Sequence, residues 1–127
     1  MKKVVIKSHE EPWSAIDITA IIQEEIKTGL NGMVMLYSPD TEVNIFTGEY
    51  DEVLPTDYSR TAQSILAGGR PYTAEKGEQY AFNFLHTCGK MIPVIDGKIS
   101  LGKLLQVYMF DAAGGARERT LWLYELE

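Results

Sequence analysis

His86 and Cys88 are the one imidazole–thiol pair close together in this sequence. Cysteine–histidine catalysis needs a thiolate activated by an adjacent base, with a third group orienting that base. Two residues apart, the side chains share a face on a strand but diverge by about 200° on a helix, so contact requires an extended backbone. A small buried thiol without reactivity is the competing reading. Arg117 and Arg119 are also two apart, at the entrance of an apolar segment, so both would face one side. Paired guanidiniums fit phosphate oxygens bidentately; the intervening Glu118 makes a solvated face the alternative. Gly114-Gly115 just before them would let backbone amides approach an anion, or would only turn the chain. Asp40, after Pro39, offers a general base or a metal ligand, and equally the side chain that closes a turn. Glu78 reads as a second carboxylate or a solvated charge. Tyr80 reads as a phenol proton donor or as packing beside Phe82 and Phe84. His9, in Ser8-His9-Glu10-Glu11, lies in a charged loop and is expected to face solvent. No phosphate-binding loop with Lys-Ser/Thr, Gly-x-Ser-x-Gly elbow or zincin helix is present.

The elements that must position these groups fit in 127 residues, enough for one hydrophobic core, and residues 1–127 read as a single domain. Hydrophobic residues make up 45% and charged residues 24%, which excludes a wholly disordered chain. Twelve Lys and Arg against 18 Asp and Glu give a net charge of −6, a poor match to phosphate backbones, so no nucleic-acid partner is expected. No apolar run approaches the roughly 20 residues of a bilayer span, so no membrane partner is expected. Met1-Lys2-Lys3-Val4-Val5-Ile6-Lys7 is too short in apolar residues for a secretory signal. With a single cysteine, and hence no internal disulfide, a reducing cytoplasm is the expected compartment.

Val4-Val5-Ile6 predicts a first strand. Asp17 to Lys27 predicts a helix capped by Thr19, with Ile22 and Ile26 on one face and Gly29 beyond its end. Met33 to Tyr37 reads as a strand buried on both sides, Ser38-Pro39-Asp40-Thr41 as a turn, and Glu42 to Phe46 as a half-buried strand. Tyr58 to Ala67 predicts a helix capped by Asp57, and Tyr80 to His86 a further helix. Ile92 to Ile95 and Lys98 to Leu101 flank Asp96-Gly97, a pair suited to a two-residue hairpin turn. Leu104 to Phe110 and Thr120 to Leu126 are two more strands. Strands at both ends with helices between them predict an α+β fold with mostly antiparallel sheet.

The run Ile92-Pro93-Val94-Ile95-Asp96-Gly97-Lys98-Ile99-Ser100-Leu101-Gly102, then Gln106-Val107-Tyr108 and a Gly–Arg turn before a final strand, resembles the C-terminal half of the YjbQ family. These small proteins are also described as secondary thiamine-phosphate synthase enzymes. Ile16-Asp17-Ile18-Thr19, with its helix and the strand after Gly32, is similar as well, and the match runs in order over most of the chain. The resemblance implies a YjbQ-like α+β domain of packed, mostly antiparallel sheets with inserted helices, forming a homotrimer. It also implies a site at the subunit boundary whose histidines hold a metal, and a weak thiamine-phosphate-forming activity.

The family's Pro-His-Thr-Thr-Ala corresponds to Pro39-Asp40-Thr41-Glu42-Val43, which puts an aspartate at the histidine position. Its two helix histidines fall at Glu78 and Tyr80, and Glu49 or Asp51 stands near its Asn-Glu stretch. Asp111 occupies a position where the family often has glutamate, while Arg117 and Arg119 keep the basic turn. The resemblance thus assigns catalytic roles to Asp40, Glu78, Tyr80 and Asp111, and substrate contacts to Thr41, Arg117 and Arg119. Metal ligands stay unassigned. Oxygen donors in place of imidazoles suit Mg or Mn better than Zn, so a divalent metal is an open expectation as cofactor. Two functions follow: an enzyme or binding protein for a small phosphorylated molecule, or a non-catalytic trimeric binding or structural module. Loss of the histidines weighs against the thiamine-phosphate activity itself.

Overall fold

Period-two alternation decides which side of each strand is buried. A computed structural model describes residues 1–66 and 89–127. In chain order these residues form β1 (Lys2–Lys7), β2 (Ser14–Asp17), α1 (Thr19–Glu25), β3 (Gly32–Tyr37), β4 (Val43–Glu49), α2 (Leu54–Leu66), β5 (Gly89–Ile95), β6 (Lys98–Ile99), β7 (Leu105–Asp111) and β8 (Glu118–Leu126). One sheet has the order β1-β8-β3-β5-β6 and the other β2-β7-β4, with every pairing antiparallel. The α+β expectation with antiparallel sheets holds.

Between the sheets lies an aliphatic core. Val4 and Ile6 of β1, Leu121 and Leu123 of β8, Val34 and Leu36 of β3, and Ile92 and Val94 of β5 meet Val43 and Ile45 of β4 and Val107 and Met109 of β7. Ile18, Ile22 and Ile26 around α1 join the same cluster. The opposite face of the three-stranded sheet carries an aromatic layer of Trp13, Tyr108 and Phe110, with Phe46 and with Tyr58 and Ala62 of α2 packed on it. Phe46 stacks on Tyr108 at 5.2 Å between centroids and meets Tyr58 edge-on at 5.1 Å. Rings at these spacings add attraction beyond the area they bury.

Several expectations are corrected. β3 is buried on one side: Val34 and Leu36 point inward while Met35 and Tyr37 are exposed, because no described residue covers the outer face of the five-stranded sheet. β4 is buried on both faces over Val43, Asn44 and Ile45, because the aromatic layer covers its second face. The first helix is shorter than expected, since Ser14 to Asp17 pair as a strand with β7. Ile18, not Thr19, is its N-cap residue. Thr19 is spent elsewhere: its hydroxyl donates to Asp17 at 2.7 Å and accepts the Val107 N–H at 2.8 Å, stitching the helix start to β7. The second helix begins at Leu54, which leaves Asp57 inside its first turn, where a negative charge suits the helix dipole but caps nothing. The expected helix over Tyr80 to His86 lies outside the described residues.

The Asp96-Gly97 hairpin forms as read, both residues at positive φ. A Cβ on Gly97 would come within 2.8 Å of the Gly29 backbone nitrogen, so this tip docks only as glycine. Gln23 holds it from α1, donating to the Gly97 carbonyl and accepting the Ile99 N–H.

Candidate functional site

β7 and β8 are consecutive in the chain but belong to different sheets, and the connection through Gly114 and Gly115 crosses between them. The crossing sets the last residue of β7 and an early residue of β8 face to face across the interior. Asp111 is fully buried, and the Arg119 side chain is 7% exposed. Arg119 Nε donates to Asp111 Oδ2 at 2.6 Å and Nη2 to Oδ1 at 3.0 Å, a bidentate pair. Asp111 Oδ1 also accepts the backbone N–H groups of Ala113 and Gly114, both at 2.9 Å. The same carboxylate thus builds the turn and pins the two sheets together.

The network continues outward. Arg119 Nη2 donates to Glu42 Oε2 at 3.1 Å, and the Arg117 guanidinium lies 3.6 Å from the same oxygen. Asp40 Oδ1 stands 3.9 Å from Arg119 Nη1, an ionic contact beyond hydrogen-bond length. Burial opposes the Arg119 charge, but hydrogen bonding and attraction from Asp111, then Glu42 and Asp40, outweigh it. The guanidinium is held above the ordinary arginine value and stays charged. Arg117 is different, with a side chain 52% exposed. Its room comes from Gly115, where a Cβ would sit 3.2 Å from Arg117 Nε. The loop beneath is fixed by Gly115 and Ala116 N–H groups donating to the carbonyls of Glu10 and His9.

Of the residues singled out from the sequence, Asp40, Asp111, Arg117 and Arg119 meet in this one cluster at the end of the sandwich. Thr41 is exposed beside it on the turn into β4, and His9 is exposed as expected. Glu78, Tyr80, His86 and Cys88 lie outside the described residues. Arg117 stands just before β8, which begins at Glu118, and its guanidinium and that of Arg119 reach the same side, both meeting Glu42 Oε2. Sequence reasoning passed over Glu42, although Asp40 and Glu42 have the two-residue spacing that aims an extended chain's carboxylates the same way. Asp111 spends both carboxylate oxygens inside the protein, and Arg119 its Nε and Nη2. Arg117 and Asp40 remain as the outward-facing charges, suited to an anion and to proton transfer or a cation, respectively.

Among the described residues no three His, Cys, Asp or Glu side chains converge as metal ligands. Among the described residues, two open clefts lie elsewhere. One, of about 550 Å³, is lined by Asp17, Thr19, Gln23, Leu101 and Gln106 among others; the second, of about 520 Å³, runs between Trp13 and α2. Neither is lined by Asp40, Asp111, Arg117 or Arg119. Among the described residues no helix is long and apolar enough to cross a membrane.

No curated protein matches the sequence. Solved structures do match the fold. A protein of the yjbq/upf0047 family from Clostridium acetobutylicum superposes with a TM-score of 0.87 at 19% identity, covering 99% of this chain and 100% of that one. A hypothetical protein from Aeropyrum pernix gives 0.86 at 23% identity, with 99% and 98% covered. A conserved hypothetical protein from Thermus thermophilus gives 0.81 at 20%, with 97% and 99% covered. The family model described as UPF0047 protein YjbQ-like matches residues 2–126, the whole sandwich from β1 to β8, and the chain belongs to the YjbQ family.

Proposed function

We propose that this YjbQ-family protein binds a small phosphorylated metabolite at the turn end of the sandwich. Arg117 contacts the phosphate, Thr41 lies beside it, and Asp40 serves as the acid–base group. The observation that carries the reading is the exposed Arg117 guanidinium, whose ion pair among the described residues is a 3.6 Å contact with Glu42. Arg119 contributes by holding Glu42 and Asp111 in place, and Asp111 by shaping the turn that presents Arg117. Glu78 and Tyr80 belong to the proposed site through the family resemblance alone. The reading does not extend to thiamine-phosphate formation, since the family's imidazole positions hold Asp40, Glu78 and Tyr80. A divalent metal stays part of the proposal only as an oxygen-bound ion near Asp40. Calorimetric titration with phosphomonoesters tests it: binding that weakens at least tenfold in Arg117→Gln supports the site, and no heat with any of them removes it.

A second reading is a non-catalytic homotrimer, and a specific surface favours assembly. The outer face of the five-stranded sheet exposes Met35, Tyr37, Met91, Tyr124 and Leu126 on three adjacent strands. Contiguous apolar surface of this kind commonly marks a contact between proteins. Light scattering should give three times the 14.3 kDa chain mass, and Tyr124→Lys or Met35→Lys should shift it towards one. A monomer at micromolar concentration would remove the trimer. A reducing cytoplasm, consistent with the single cysteine, is the proposed compartment.

A further inference from the structure

We propose that the cleft between α1 and the start of β7 binds a small primary alkylammonium ion, at a site separate from the phosphate site proposed above. The cleft measures about 550 Å³, within the range of small-molecule pockets. Among the described residues that line it, Asp17 alone is ionisable, and Ala20, Ile99, Leu101 and Leu105 form an apolar wall. Asp17 stands opposite Tyr108 in the register of β2 against β7. Gln106, two residues earlier on β7, therefore projects from the same face of the sheet. Strand pairing thus brings a carboxylate and a primary amide from distant parts of the chain to one cleft.

Most other polar groups here are already engaged, which leaves a defined pair. Thr19 donates both its backbone N–H and its hydroxyl to Asp17 Oδ1. Gln23 donates to the Gly97 carbonyl and accepts the Ile99 N–H. Among the described residues no hydrogen bond reaches Asp17 Oδ2 or the Gln106 amide, and no cationic side chain pairs with Asp17. An anion is repelled by this carboxylate, and a neutral ligand leaves its charge unanswered. A divalent metal asks for about six oxygen ligands, more than one carboxylate and one amide supply. A primary ammonium fits: its N–H groups donate to Asp17 Oδ2 and the Gln106 oxygen, the former bond charge-assisted. Its alkyl chain then covers Leu101 and Leu105, the latter 36% exposed, and removes apolar surface from water.

Calorimetric titration of the full chain with n-pentylammonium, methylammonium and pentan-1-ol tests the site. Pentylammonium should bind at least tenfold tighter than the other two, which lack the chain and the charge respectively. Asp17→Asn keeps an oxygen for Thr19 but removes the charge, and should weaken pentylammonium at least tenfold with the thermal midpoint unchanged. Leu105→Gln, which leaves the Asp17–Thr19 turn untouched, should weaken pentylammonium several-fold and methylammonium not at all. Glu118→Gln removes the same charge from the turn end of the sandwich and should change nothing. Pentan-1-ol or methylammonium binding as tightly as pentylammonium overturns the proposal. Equal losses in Asp17→Asn and Glu118→Gln also overturn it, since they mean attraction to an acidic surface in general, and so does the absence of heat with pentylammonium. No phosphate is among the probes, so each of these outcomes leaves the Arg117 reading standing.

Discussion

Among the buried polar residues described, the Asp111–Arg119 pair and Asn44 fare in opposite ways. At the turn end, Asp111 accepts from Ala113, Gly114 and twice from Arg119, and Arg119 gains Glu42 as well. In the middle of the shorter sheet, Asn44 of β4 is 1% exposed, and neither its amide nitrogen nor its oxygen has a hydrogen-bond partner among the described residues. It lies opposite Phe110 on the aromatic face. The contrast follows from the size of the penalty. An unpaired buried ion costs so much that the fold must supply complete pairing, whereas a neutral amide left unpaired costs a few kcal/mol and the core can carry it. The ionic end ties the two sheets together, whereas the Asn44 amide makes no such tie among the described residues.

Breaking the ionic end should have the largest effect. Asp111→Ala leaves Arg119 Nε and two backbone N–H groups without their acceptor and Arg119 with Glu42 as its remaining hydrogen-bonded carboxylate, and should cost about 3–5 kcal/mol, read from urea denaturation. Replacing both partners by apolar residues, Asp111→Leu with Arg119→Met, should recover most of that loss, because no charge is then stranded. A cost below about 1 kcal/mol for the single variant would mean the buried pair is not anchoring the sheets.

Asn44→Leu should move stability the other way. Removing two unsatisfied atoms at similar volume should raise stability by about 1–3 kcal/mol. A destabilised variant would mean that a buried water satisfies the amide and would erase the contrast.

Tyr108 is an intermediate case, buried with one hydrogen bond from its hydroxyl to the Glu49 carbonyl at 3.2 Å. Burial first, and the nearby negative charge of Asp17 next, raise its phenol above the ordinary value of 10.0. The folded state then keeps a proton that the unfolded chain releases, so stability present below pH 10 should decline as pH rises beyond it. Tyr108→Phe should remove that decline while costing about 0.5–1.5 kcal/mol at neutral pH, both read from unfolding midpoints.

The smallest effect is expected at the rim. Glu125 accepts the Lys27 backbone N–H at 3.0 Å and pairs with Lys2 at 3.3 Å; these outweigh its partial burial and hold its carboxyl below the ordinary value of 4.5. Its stabilisation is present above that value and lost as pH falls through the lowered one. Glu125→Gln should flatten the acid side of the pH–stability curve by less than about 1 kcal/mol, because exposed pairs are screened by water.

Much of the fold was legible because it is encoded over short distances. Asp96-Gly97 announces its own turn, since only residues tolerant of positive φ close a two-residue hairpin. The alternation of β1 and β8 carries its own inside and outside. Runs without alternation were misread. Met33 to Tyr37 is apolar throughout, so nothing local distinguishes a doubly covered strand from one with an apolar outer face. Thr19 has the composition of a cap, but its hydroxyl is claimed by Asp17 and Val107, the latter 88 residues away. Asp40, Arg117 and Arg119 were picked out by type and resemblance, whereas Glu42, which joins them, carried no signal beyond its spacing.

What the sequence determined by itself is most of the strands, β2 excepted, the Asp96-Gly97 turn and the surplus of acid, because propensity, glycine conformation and charge are properties of residues and their near neighbours. Tertiary structure alone decided that β7 and β8, adjacent in the chain, enter different sheets. That choice drives Asp111 and Arg119 together in a dry interior and leaves Arg117 and Asp40 facing water. The partners of a buried charge are selected by packing across the core, and no local pattern of residues contains that geometry.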